Sequence, residues 1–289
     1  MASPANEDHV PGLLSRLNGR SHQLCIVIDM RIGTWNVNSL RARSEQVLTW
    51  LVERKIDVAL LQETKCTDDV FPFDEFAEMG YQSAHHGANH WNGVAIISRV
   101  GLDGVAHGFQ SSTEFDEPRL IAATCGGIRC WSVYVPNGRA IEDPHFDYKL
   151  KWLDQLAAEL HSLGSADTAA VVAGDFNVGM ADIDFYDAKQ WAGKKHATDE
   201  ERACVRRVID LGFVDLARDR YPDDPQFTWW NYVGAQFAKD KGLRIDLALG
   251  SKVVAERLDD VWVDRHTRDP LAAHPAKPSD HAPLIVDLR

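Results

Sequence analysis

Along this chain, polar side chains gather where apolar runs stop. The run 32–37 contains Asn36. The run 58–62 is followed by Glu63, Thr64 and Lys65. The run 129–135 carries Tyr134 and leads into Pro136-Asn137-Gly138. The run 169–173 stops at Gly174-Asp175-Phe176-Asn177. Asp246 sits inside 245–249, and Asp280-His281 precede 284–288. A rigid strand that delivers a polar group into a loop is a common way to build a site. If these ends converge, they bring together the carboxylates Glu63, Asp175, Asp246 and Asp280, the amides Asn36 and Asn177, and the His281 imidazole. Oxygen donors without cysteine suit Mg²⁺ or Mn²⁺ better than zinc. A hard divalent ion beside a histidine and an aspartate suits hydrolysis of a phosphate ester.

Each residue also has an ordinary reading. Asp175, Asn36 and Asn177 are types that cap turns. Glu63 opens a charged loop, and Asp280-His281 can be a surface pair. Asp246 is harder to set aside. It interrupts Ile245-Asp246-Leu247-Ala248-Leu249, where a carboxylate needs a partner or a task.

The elements that must hold these groups follow from periodicity. Apolar residues at helical spacing predict helices over 43–54, 148–162 and 200–211. Short apolar runs predict further strands at 94–98, 120–125 and 261–264. Many strands with a few helices between them imply an α/β fold with a large sheet core. No Pro/Gly/Ser linker divides 30–289, so one domain is expected there. Residues 1–29 are polar and broken by Pro4, Pro11, Gly12 and Gly19, and read as a flexible extension whose one apolar run is 24–28. Met1 and Met30 both stand as possible starts. The loop 140–149, with His145, reads as long.

The chain has 289 residues, 45% hydrophobic and 26% charged, which excludes wholesale disorder. No apolar run reaches the roughly 20 residues of a membrane span. The five cysteines are scattered without a CxxC; Cys125 and Cys130, on either side of Gly126-Gly127, are expected to be reduced, and the compartment to be the cytoplasm. The net charge of −12 argues against coating nucleic acid by bulk electrostatics, not against gripping it at one place. The basic residues Arg41, Arg43, Lys65, Arg119, Arg139, Lys239, Lys241 and Arg244 concentrate near the polar loops and are candidates for such a grip.

Taken together, the segments TWNVNSLRAR (34–43), LLQETKC (60–66), WNGVAIISR (91–99), VYVPNG (133–138), GDFNV (174–178), FTWWNY (227–232), GLRIDLALGS (242–251) and KPSDHAP (277–283) resemble the exonuclease III family of apurinic/apyrimidinic (AP) endonucleases, within the endonuclease/exonuclease/phosphatase superfamily. They occur in the family's order across nearly all of 30–289. The resemblance implies a DNase I-like four-layer α/β sandwich, with two packed mixed β-sheets flanked by helices and an active site at one end. It implies a Mg²⁺-dependent nuclease, with Mn²⁺ as a substitute, that cuts duplex DNA 5′ to an abasic site and works on blocked 3′ ends. A monomer is expected.

By the same resemblance, Glu63 is the principal metal-binding residue, supported by Asn36 and Asp280. Asp175 positions or deprotonates the attacking water. Asn177 and Tyr134 donate to the scissile phosphate. His281 is the catalytic histidine and Asp246 orients it. Asp175, Asn177 and His281 are further candidates for the metal. Trp229 matches a residue lining the abasic-sugar pocket. Arg139 stands where some relatives insert an arginine into the duplex, and Arg119 and Lys241 join it as DNA contacts. Asn231 occupies a place where some relatives have Asp. The sequence does not rank AP endonuclease, 3′→5′ exonuclease, 3′-phosphatase and RNase H-like activities. A phosphatase of inositol phosphates is not expected to carry QETK with YVPNG and RIDL. A binding protein without catalysis is disfavoured because no matched catalytic position is substituted.

Overall fold

The computed structural model describes residues 29–289 except 89, 163, 165–167 and 273–275. The run 24–28 and nearly all of the extension 1–29 lie outside the described residues. Among the described residues, twelve strands form two sheets of six. The first contains β1 (Met30–Asn36), β2 (Val58–Gln62), β3 (Gln82–His86), β4 (Val94–Ser98), β11 (Leu258–Val263) and β12 (Leu284–Leu288). The second contains β5 (Asp103–His107), β6 (Leu120–Cys125), β7 (Ile128–Tyr134), β8 (Ala170–Asp175), β9 (Phe213–Asp215) and β10 (Asp246–Ser251). Their orders are β11-β12-β1-β2-β4-β3 and β5-β6-β7-β8-β10-β9. Both sheets are mixed: β1–β2 and β7–β8 run parallel, and the other pairings are antiparallel.

Alternation along the strands explains the layers. In β2, Val58 and Leu60 face the second sheet, while Ala59 and Leu61 face the helices α1 (Leu40–Glu53) and α2 (Phe73–Glu78). In β8, Val171 and Ala173 point between the sheets. Ala170 and Val172 point to α3 (Pro144–Ser162) and α5 (Asp199–Ile209), beyond the short α4 (Ala188–Trp191). Strands buried on both faces read as unbroken apolar runs, which is why 58–62 and 169–173 were legible. Each such Leu or Val contributes roughly 1.5–3 kcal/mol of burial. The four-layer α/β sandwich expected from the motifs is the fold.

Several boundaries differ from expectation. α1 begins at Leu40, because the Ser39 side chain accepts from the Ala42 N–H as its N-cap. Arg43 leaves helical geometry (φ −133), its guanidinium drawn to the carbonyls of Asn38, Lys277 and Pro278. The loop expected over 140–149 ends at Pro144, which starts α3, so His145 lies in the first helical turn, exposed beside Asp143. β3 (QSAHH) and β5 (DGVAH) are edge strands too polar to show a strand pattern. Cys125 and Cys130 sit on the β6–β7 hairpin as free, buried thiols; Cys66, beyond β2, and Cys204, in α5, are free and buried too.

The register places the site. Asn36 pairs with Gln62 where β1 and β2 end together. Tyr134 pairs with Asp175 at the ends of β7 and β8, and Asp175 pairs with Asp246 at the start of β10. The middle strands of both sheets therefore reach the same end of the sandwich. Gly174 is required just before Asp175: at φ +154, a Cβ there would lie 1.9 Å from the Val133 carbonyl oxygen.

Candidate active site

At that end, the expected residues meet in one network. Asn36 Nδ2 donates to Glu63 Oε1 (2.7 Å) and to Asp175 Oδ2 (2.9 Å). Asn38 Nδ2 donates to Asp280 Oδ1 (2.9 Å), and Trp229 Nε1 donates to Asp280 Oδ2 (3.1 Å). Lys65 Nζ bridges Glu63 Oε2 (2.8 Å) and Asn38 Oδ1 (2.6 Å). His281 Nδ1 donates to Asp246 Oδ2 at 2.8 Å, and its Nε2 lies 3.8 Å from Asp175 Oδ2. The Asn177 backbone N–H donates to Asp175 Oδ1 (2.9 Å), and its side-chain Nδ2 donates to the Val135 carbonyl (3.0 Å).

The backbone is bent to present these groups. Asn38, Ser39, Glu63, Lys65, Arg139, Asn177 and His196 all have positive φ, a conformation unfavourable for residues with a Cβ. Such residues tend to collect at functional sites, where surrounding contacts hold them. Here the Lys149 ammonium and His196 Nδ1 both donate to the Asn177 carbonyl oxygen. Lys149 is itself fully buried and paired with Glu201.

Burial and charge separate the proton affinities. Burial pushes the Asp175 carboxyl up to about 7; the His281 cation opposes this, and the Asp246 and Glu63 charges add to it. Burial alone would lower His281, but the Asp246 and Asp175 carboxylates outweigh it and raise the imidazole to about 10. Burial raises Asp280, yet His281, Asn38 and Trp229 together hold it below its ordinary value. Burial, then the Glu63 charge, pushes the Tyr134 phenol well above its ordinary value. At neutral pH this describes a protonated imidazole facing a carboxyl poised to exchange a proton.

The donor set fits a hard divalent cation. Among the described residues, the four carboxylates Glu63, Asp175, Asp246 and Asp280 are ion-paired with only two cations, Lys65 and His281, and burial, with the Asp246 and Glu63 charges adding to it, raises Asp175. Asp175, Asp246 and His281 also bring one atom each within 4.8 Å of one another. The short Nδ1–Oδ2 bond accounts for that grouping as a carboxylate–imidazolium pair.

A cavity of about 340 Å³ opens over these groups, lined also by Asn137, Trp191, Lys195, His196, Trp229 and Asn231. It shares Tyr134 and Asn137 with a neighbouring groove of about 540 Å³ that holds Arg119, Arg139 and Trp91. Arg119 pairs with Glu117 and stacks over the Tyr134 ring at 4.7 Å. Arg139 is exposed, 4.0 Å from Asp143. Lys241 lines neither cavity; its ammonium lies 5.5 Å from the Tyr186 ring.

Two basic residues read as phosphate grips prove to be structural. Arg244 is fully buried and bound to Asp184 and Asp215, and Arg43 is buried against carbonyls. Lys65 is held by Glu63. The sequence reading missed Asn38, Asn137, Lys195 and His196 as site residues. Asn38 and Asn137 lie within TWNVNSLRAR and VYVPNG and were open to it. Lys195 and His196 lie in an unpatterned polar stretch and had no signal.

The endonuclease/exonuclease/phosphatase family profile matches residues 33–281. The chain belongs to this family. Among its relatives, exodeoxyribonuclease III of Haemophilus influenzae is 30% identical over 272 residues, covering 90% of this chain and all of that protein. The 3′ phosphatase NExo from Neisseria, solved with a product DNA hairpin, superposes with a TM-score of 0.86 at 38% identity, covering 90% of this chain and 99% of that one. An AP endonuclease from Archaeoglobus fulgidus gives 0.84 at 35% identity, with 90% and 99% covered. The match runs through both sheets and all the strand ends described above. Among the described residues, no helix is long and apolar enough to cross a membrane.

Proposed function

We propose that this protein is a metal-dependent DNA repair nuclease. It hydrolyses the phosphodiester 5′ to an abasic site in duplex DNA, and it also trims 3′ ends as a 3′→5′ exonuclease and 3′-phosphatase. The observation that carries this reading is the convergence of Asn36, Glu63, Asp175, Asn177, Asp246, Asp280 and His281 beneath a cavity that opens onto a groove bearing Arg119 and Arg139. We assign the activity to residues 30–289, acting as a monomer in the cytoplasm; the free buried thiols fit that compartment.

In this mechanism Asp175 orients the attacking water and accepts its proton. A bond forms from the water oxygen to phosphorus as the bond to the 3′ oxygen breaks, leaving a 3′-hydroxyl. His281 Nε2–H, the Asn177 amide and the Tyr134 hydroxyl donate to the phosphoryl oxygens, where negative charge grows. Asp246 keeps the imidazole protonated and aimed. Glu63 and Asp280 would hold Mg²⁺, or Mn²⁺ in its place, with Asn36 orienting Glu63; Asp175 and Asn177 offer oxygen to a second ion. Held there, such an ion would supply positive charge to offset that growing on the phosphate oxygens. We give His281 the donor role, because an imidazolium has no free lone pair for a metal. Trp229, anchored on Asp280, walls the pocket for a baseless sugar, whose extrusion from the duplex is cheaper than that of a paired nucleotide.

The test is incision of a duplex bearing one abasic site, in Mg²⁺ and in EDTA, by the full chain and by a chain beginning at Met30. The expected product has a 3′-hydroxyl, appears only with the ion, and forms equally with both chains. Full activity in EDTA, or a 3′-unsaturated aldehyde product, would sink the hydrolytic reading. Faster phosphate release from an inositol phosphate would replace the substrate.

A further inference from the structure

Lys195 lies in the wall of the same cavity as Asp175, Asn177 and His281. Its ammonium donates to Asn137 Oδ1. Asn137 Nδ2 in turn donates to Asn177 Oδ1 (3.0 Å), and Asn177 Nδ2 donates to the Val135 carbonyl. Among the described residues, no carboxylate lies within ion-pair distance of Lys195. Glu201, the carboxylate whose charge acts on it, is taken by Lys149 and by the backbone of His196. An ammonium has three N–H groups, so two remain for a ligand in the cavity.

The backbone holds Lys195 there. The next residue, His196, is buried at φ +75. Its Nδ1 donates to the Asn177 carbonyl at 2.5 Å, its own carbonyl accepts from the Gly179 N–H at 2.8 Å, and its N–H donates to Glu201 Oε1 at 3.0 Å. The loop is thereby tied to the turn that carries Asn177. Lys195 is thus a cation without a carboxylate partner, one amide away from a phosphate-binding group.

We infer that Lys195 is a specificity-determining residue that favours a terminal 3′-phosphomonoester over an internal phosphodiester. This rests on the function proposed above and deepens it. An internal diester carries one negative charge. A terminal monoester carries about −1.5 to −2 near pH 7 and offers three non-bridging oxygens. An ammonium in the same cavity wall, held through Asn137, meets that additional charge, and in a partly buried cavity the attraction is far less screened than in water. The diester gains little from Lys195, because its charge is already met by His281, Asn177 and Tyr134. In the favoured reaction, water attacks phosphorus, the bond to the 3′ oxygen breaks, and the products are a 3′-hydroxyl and inorganic phosphate.

The experiment compares kcat/KM for two substrates on the full chain: phosphate release from a nicked duplex with a 3′-phosphate, and incision of an abasic duplex. Lys195→Met removes the charge and the hydrogen bond. Lys195→Gln removes the charge and keeps an N–H to reach Asn137. Lys195→Arg restores the charge. The expected result is a loss of about tenfold or more on the 3′-phosphate with Met and Gln, a change under about threefold on the abasic duplex, and recovery with Arg. Inhibition by inorganic phosphate should weaken in parallel, with melting temperatures unchanged. Equal losses on both substrates, or no loss, would overturn the inference and leave the nuclease reading standing. Abasic incision by the unaltered chain without 3′-phosphate release would do the same. Hydrolysis of neither substrate would overturn both.

Discussion

Replacing Asp246 by Asn tests the centre of the mechanism with little change in shape. Asp246 is 1% exposed, and its Oδ2 is 2.8 Å from His281 Nδ1. The rise of the imidazole from 6.5 to about 10 is equivalent to about 5 kcal/mol in favour of its protonated form. Burial works against that form, so it is held by the neighbouring carboxylates, Asp246 first and Asp175 second. Asp246→Asn removes the larger contribution. At pH 7.5, a histidine with the ordinary pKa is only about one-tenth protonated, and a buried one less. Loss of the imidazolium therefore lowers the rate by about 10- to 100-fold. Misorientation of the ring adds roughly another tenfold. The expected fall in kcat is about 10²–10³, or roughly 3–4 kcal/mol. His281→Ala should lose at least as much, and the double variant should be little worse than the worse single, because the pair acts as one unit. The assay is single-turnover incision of the abasic duplex, alongside NMR titration of the His281 ring. Additive losses in the double-mutant cycle, or a ring in the unaltered protein that titrates near 6.5, would refute the coupling. Asp246 would then be reassigned to metal binding or to a structural role.

The exposed Arg139 should contact one phosphate, so Arg139→Ala should make the log-affinity versus log-salt slope shallower by about one, whereas Lys241→Ala should leave it nearly unchanged; the opposite ranking would move the DNA path towards Lys241. Asp184→Ala leaves the buried Arg244 with only Asp215, and should lower stability by about 3–5 kcal/mol in denaturant melts; a loss under about 1 kcal/mol would show that the cluster is not structural. His85 is buried, which lowers its pKa to about 4 against the opposing, largely exposed Asp68, so between 6.5 and about 4 the unfolded chain binds the proton and the folded one does not. Stability should therefore fall as pH drops through that window, by up to about 3 kcal/mol, and His85→Phe should remove this part of the dependence; an unchanged pH profile in the variant would show that His85 does not titrate on unfolding.

What the sequence determined by itself was the set of chemical groups and the middle of each sheet. Strands buried on both faces leave long apolar runs, and the polar residue that ends each run is visible against them, as at Gly174-Asp175 and in Asp246 within 245–249. The motifs supplied the family because they keep residue type and local order together. Polar edge strands such as β3 and β5 escaped, since β5 has no buried residue, β3 has only two, and no periodicity marks either. Only the tertiary structure decided which charges are free. Arg244 and Lys195 are both basic residues in polar stretches, and composition cannot tell them apart. Packing buries Arg244 between Asp184 and Asp215, and it turns Lys195 towards the cavity with an amide as its partner. The difference comes from contacts between residues far apart in the chain, 60 positions for Arg244 with Asp184 and 58 for Lys195 with Asn137. Their geometry is set by the register of the two sheets, and no local pattern encodes it.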